Sequence, residues 1–208
     1  MDNKVNEILA KIIQLEYELQ LEFEKRNIKF SYQVINNKIR FAAETIEKHK
    51  LKLVNLRQYI TGASRLNIAT IPIIWICIIP AIIMDIFVSF YHAVCFPVYG
   101  IPKVKRSDYI NLDRRFLQYL NVIEKINCVF CGYFNGLISY VQEIAARTEQ
   151  YWCPIKHARR MKAIHSRYKM FFDYGDAEAF RNNLPETRKA FSDLINANEN
   201  ANHDAEKV

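Results

Sequence analysis

Glycine and proline are scarce, 5 and 6 residues in a chain of 208. That scarcity excludes a collagen-like or proline-rich chain. Five cysteines are too few for a disulfide-stapled scaffold. The sequence holds no GxxxxGKS/T, GxGxxG, GxSxG or HExxH pattern, so nucleotide-loop, dinucleotide, serine-hydrolase and zincin chemistries lack their motifs. Glu124, Glu143 and Glu149 have no accompanying Glu-x-x-His pair, as a di-iron carboxylate bundle would require. Whether the chain is an enzyme stays open.

Charge is missing from one long stretch. Between residues 66 and 102 the only formal charge is Asp85. Residues 66–84, centred on IPIIWICIIPAIIM, are uncharged, close to the roughly 20 apolar residues that a helix needs to span a bilayer. The block starts far from the first residue with no basic n-region of its own, which sets it apart from a signal peptide. As one straight helix the whole stretch would be about 55 Å long, against a hydrocarbon core of ~30 Å. Pro72, Pro80 and Pro97 can each kink or stop it. Two insertions follow: a single span, or a re-entrant hairpin bent near Pro80 with both ends in the cytoplasm.

What charge there is lies on both shores of this block. Residues 1–24 carry a net −4, 25–65 a net +8, 103–169 a net +8 and 170–208 a net −4. Lys48, Lys50, Lys52, Arg57 and Arg65 on one side balance Lys103, Lys105, Arg106, Arg114 and Arg115 on the other. The Lys/Arg asymmetry that orients a spanning helix is absent, which suits the hairpin.

Hydrophobic spacing makes the chain mainly α. Ile8, Ile12, Leu15, Leu19 and Phe23 recur every three or four residues and predict an amphipathic helix over 3–25. KFSYQVINNKIRF alternates around Asn36-Asn37 and predicts a small β-hairpin. A basic helix over 42–60 follows. Beyond the apolar block, helices are expected over 114–126, 137–151, 155–171 (with Pro154 at its start) and within 176–195; the polar tail from 196 to 208 is too polar to bury. The expected plan is an N-terminal region 1–65, a membrane segment 66–102, a helical Cys/His domain 103–195 and a disordered tail 196–208.

The cysteines suggest a metal. Cys128-Val-Phe-Cys131-Gly132 reads as a knuckle, its glycine allowing a positive φ that turns backbone N–H groups toward the sulfurs. Cys153 and His157, spaced to sit one helical turn apart, would complete a Cys3His tetrahedron, with Cys95 a further candidate. Zinc suits this set; mononuclear iron or an iron–sulfur cluster, which would draw in Cys95, is the redox alternative. A dithiol pair and plain packing of buried thiols compete with both. Within the apolar block Asp85, Ser89 and His92 share one helical face, and an ionisable group at that depth marks a functional position. The stripe reads as a hydrogen-bonded seam, as metal ligands, or as a wetted edge.

The stretches YHAVCFPVYGIPKVKRSDYI, NVIEKINCVFCGYFNG, ARTEQYWCPIKHARR and FFDYGDAEAF resemble a family of uncharacterised bacterial membrane-associated proteins with one hydrophobic segment and a CxxCGY…YWCPIKHA block. The likeness covers about residues 29–195, and it implies membrane association but no reaction. CVFCGY is also similar to the first rubredoxin knuckle, yet the second is missing, since Cys153 is followed by His157. Finally, KHARRMKAIHSRYK over 156–169 carries six Lys or Arg. Anionic lipid headgroups suit it better than nucleic acid in a chain with a membrane segment. The expected protein is therefore an inner-membrane-attached, largely cytoplasmic helical metalloprotein that meets a protein partner.

Overall fold

The computed structural model describes residues 2–29, 32–35, 38–159 and 161–195. In chain order the elements are α1 (Asp2–Lys29), β1 (Tyr32–Ile35), β2 (Lys38–Phe41), α2 (Ala43–Lys50), α3 (Leu56–Gly62), α4 (Arg65–Ile76), α5 (Ile78–Tyr99), α6 (Val122–Trp152) and α7 (Ala177–Thr187). The fold is mainly helical. It divides into two compact units, residues 1–64 with 112–129, and residues 65–111 with 130–208.

In the first unit β1 and β2 pair antiparallel with Tyr32 opposite Phe41; the Asn36-Asn37 turn expected between them lies outside the described residues. The single basic helix expected over 42–60 is two short ones, α2 and α3. A 3₁₀ turn at Asp113–Phe116 replaces the start of the helix expected at 114. The His49 ring meets the Tyr119 ring edge-on with centroids 5.1 Å apart, so chain from before the apolar block packs on chain from after it.

The second unit is built on the apolar helix. The chain does not fold back near Pro80: α4 and α5 form one 35-residue helix over Arg65–Tyr99. The proline leaves only a local tightening, since Cys77 keeps helical angles (φ −64, ψ −15) and its N–H donates to Ile74 O at 3.2 Å, three residues back, where an α-helix would reach four. Gly100, in the left-handed conformation (φ 66), ends the helix, with Ile101 N–H returning to Phe96 O at 2.9 Å.

Residue 100 onward then runs back along the helix it has just left. Val104 meets His92 and Arg106 meets Asp85, while Tyr109 and Ile110 lie against Gly136 of α6. A Cβ on Gly136 would fall 2.6 Å from Tyr109 O, so only glycine lets the return segment this close. With Trp75 on Phe130, Asp85 on Tyr133, His92 on Tyr140 and Tyr99 on Tyr151, the contacts ascend together. α6 therefore runs parallel to α4 and α5, with the return segment antiparallel to both. The core between them holds Ala81, Phe96, Ile101, Val104, Leu137, Tyr140, Ile144 and Phe191.

Two further expectations change here. α6 absorbs both the helix over 137–151 and the supposed knuckle. Its true start is a capping box that the sequence analysis missed: Asn121 Oδ1 accepts Glu124 N–H at 3.0 Å and Glu124 Oε2 accepts Asn121 N–H at 2.8 Å. Residues 155–171 are not a helix. Their backbone is spent elsewhere: Lys156 N–H donates to Phe172 O and Phe172 N–H to Pro154 O, both at 2.8 Å. Among the described residues of this stretch only a 3₁₀ turn at Tyr168–Met170 is helical. The tail over 196–208 lies outside the described residues.

Candidate functional site

The apolar helix has faces of opposite character. On α5, Ile79, Ile82, Ile83, Ile86, Phe87, Phe90, Val94 and Val98 are 45–76 % exposed and fall along one stripe at helical spacing. The stripe contains no polar side chain. On α4 the exposed residues Leu66, Ile68, Ile71, Ile73, Ile74 and Ile76 surround the whole helix. Within the most apolar 18-residue window only 6 % is buried.

The opposite face of α5 carries the polar residues, and each has partners. Asp85 sits between Arg106, which grips both carboxylate oxygens, Tyr133, whose hydroxyl donates at 2.8 Å, and Ser89, which donates at 3.1 Å. His92 Nε2 accepts Val104 N–H at 2.9 Å. An accepting Nε2 leaves the ring proton of a neutral imidazole on Nδ1, 3.3 Å from the Tyr140 hydroxyl. Thus Asp85, Ser89 and His92 lie in a hydrogen-bonded seam against the return segment and α6.

That seam continues along α6 through residues the sequence analysis did not single out as a set. Arg147 and Glu143 pair at 2.8 Å with both side chains about nine-tenths buried. Arg147 also donates to Pro102 O and Lys103 O, and Ser166 donates to the second Glu143 oxygen at 2.7 Å. One turn on, Gln150 donates to Thr187 O and Ala190 O, and buried Arg167 binds Gln150, Ala190 O and Asp193. Burial opposes the charge of Asp193, but the Arg167 hydrogen bond and charge outweigh it and hold the carboxyl below 3.8. The signal available beforehand was the spacing Glu143, Arg147, Gln150 on one face of a helix otherwise apolar there.

The cysteines are distributed differently from the expectation. Cys128 and Cys131 are interior residues of α6, and Gly132 is helical too. Among the described glycines only Gly100 and Gly175 have positive φ, so the local turn that a metal knuckle needs is absent. Cys153 follows the last residue of α6, about 33 Å along the helix from Cys131 at 1.5 Å per residue. Two sulfurs on one zinc lie about 4 Å apart. Partial burial, and then the Glu149 carboxylate, push the Cys153 thiol up, away from the thiolate a metal needs. His157 lies alongside the Tyr168 ring and donates its backbone N–H to the Tyr168 hydroxyl at 2.9 Å. Cys95 is half-buried on α5.

These residues therefore do not fit one zinc or iron ion, nor one cluster. Among the described residues no group of three or more His, Cys, Asp or Glu is placed to hold a metal ion. The chain matches no protein-family model, no curated protein and no solved structure.

Proposed function

We propose that this chain is a monotopic membrane protein: the apolar helix lies in one leaflet of the cell's inner membrane and holds a helical domain at the cytoplasmic surface, where it meets a protein partner. The observation that carries the reading is the uncovered apolar surface of Arg65–Tyr99, of which 6 % is buried in its most apolar window. Contiguous exposed apolar area on that scale marks a membrane or protein contact, and α4 exposes apolar side chains on every side, beside exposed Asn67 and Thr70 in its first half, as suits a helix entering hydrocarbon.

Two further observations favour lying in the membrane over crossing it. Residues 1–64 and 112–129 belong to one compact unit, whereas a single crossing between 65 and 99 would leave them on opposite sides. Moreover, the whole of α5 is accompanied by α6, whose Glu143, Arg147 and Gln150 would have to enter the bilayer with it. A buried hydrogen-bond network, in place of a Cys/His ion, organises the attached domain in this reading.

Single-cysteine variants at residues 1–60 and 103–195, labelled in sealed vesicles with an impermeant maleimide, test it. Labelling of both regions from the same side is expected, with the protein retained in the carbonate-washed membrane pellet. Labelling from opposite sides, or a fully soluble protein, overturns the reading.

A further inference from the structure

The described residues 157–159 and 161–166 belong to a loop whose two ends are stapled together. Pro154 and Lys156 bond to Phe172 at the root, and Lys156 Nζ pairs with Asp173 at 2.7 Å. Tyr168 OH accepts His157 N–H, His165 meets Glu149 at 3.1 Å and Ser166 bonds Glu143. The loop thus projects from a rigid base, as a compact functional loop does.

Its projecting residues combine two properties that solvent alone does not explain. Arg159 and Lys162 are exposed, and no acidic residue occurs from 157 to 166. Between and beside these cations, Met161 is 39 % and Ile164 63 % exposed. Trp152, where the loop leaves α6, is exposed and touches Tyr99 at the end of the apolar helix. Exposed Tyr174 stands just past the root. Cations interleaved with apolar tips, next to amphipathic aromatic rings, are the chemistry of a headgroup layer.

We propose that this loop is a second membrane contact selective for anionic phospholipid, with Met161 and Ile164 inserted among the headgroups and Arg159 and Lys162 on their phosphates. It rests on the monotopic reading above and adds a lipid class to it.

Flotation of the full chain with vesicles of phosphatidylcholine, alone or mixed with phosphatidylglycerol, tests it. The expected result is tighter binding to the mixed vesicles. Arg159→Gln with Lys162→Gln should remove that preference, about 30-fold in two steps of roughly fivefold, and leave neutral-vesicle binding unchanged. Met161→Ser with Ile164→Ser should weaken binding to both compositions while the unfolding temperature stays constant. Equal binding of the unaltered chain to both vesicles overturns the loop's role, with the monotopic reading intact. So does a charge variant that floats with mixed vesicles as well as the parent does, or one that loses only oligonucleotide binding. A chain that binds neither vesicle overturns both.

Discussion

The two sides of α5 are made from one run of sequence and obey opposite rules. The inner side holds Asp85, Ser89 and His92, each bonded to a neighbour; the outer side, from Ile79 to Val98, has no polar atom beyond its backbone. Where protein covers the helix, polar groups are admitted because partners are supplied there. Where protein does not cover it, none is present. On the covered side that division follows from the cost of burying a polar group without a partner.

The comparison can be broken from either side. The largest expected effect is on the inner side: Arg147→Met strands the buried Glu143 carboxylate and two carbonyls, and should cost about 3–5 kcal/mol in denaturant unfolding. A loss under about 1 kcal/mol would mean that the network is not what holds α6 in place. Next, Ile83→Asp with Phe87→Asp alters only the outer side. Vesicle affinity should drop by about 100-fold or more, with the unfolding midpoint in detergent unmoved; a midpoint shift instead would mean protein covers that stripe.

Gly136→Ala sharpens the inner packing. With Tyr109 O and Ile110 Cα in the way, it should destabilise by about 1–3 kcal/mol. Asp85→Asn keeps the shape and loses the charge. Because Arg106 is 42 % exposed and can return to water, the cost should be about 1 kcal/mol, with membrane binding preserved. The smallest effect is a pH dependence. The Asp193 carboxyl is depressed in the fold, so its contribution is complete above 3.8 and is lost as pH falls through the lower folded value. Its side chain is 46 % exposed, which keeps the contribution below about 1 kcal/mol. Unfolding followed from pH 5 to 2 should therefore be slightly steeper for the parent than for Asp193→Asn.

Much of the helical content was legible because it rests on spacing: Ile8 to Phe23 in α1, the uncharged run of α4 and α5, Ile138 to Ala145 in α6. The face shared by Asp85, Ser89 and His92 was readable for the same reason. Motif spacing misled at the cysteines. CxxCG is a knuckle only when the backbone turns, and the Asn121–Glu124 cap starts a helix that carries straight through it. Residues 155–171 were misread because the two ends of the stretch are tied to each other, Lys156 N–H to Phe172 O and Phe172 N–H to Pro154 O, a pairing between residues 16 or more apart that local spacing does not announce. Pro80 looked like a hinge, yet one missing donor is tolerated when the helix continues on both sides. The partners of Glu143 and Arg147 are carbonyls of the return segment, which no local pattern can announce.

The parallel course of α5 and α6 also sets an order of events during synthesis. Tyr133 follows its partner Asp85, and Tyr140 follows His92, by 48 residues, so at about 5–20 residues per second the ribosome delivers each some 2–10 s later. Through that interval the apolar segment exists without its cover, its carboxylate and imidazole still solvated. A nascent chain of this design carries that apolar surface before its own domain is finished, and any pause in translation between the two helices lengthens the exposure.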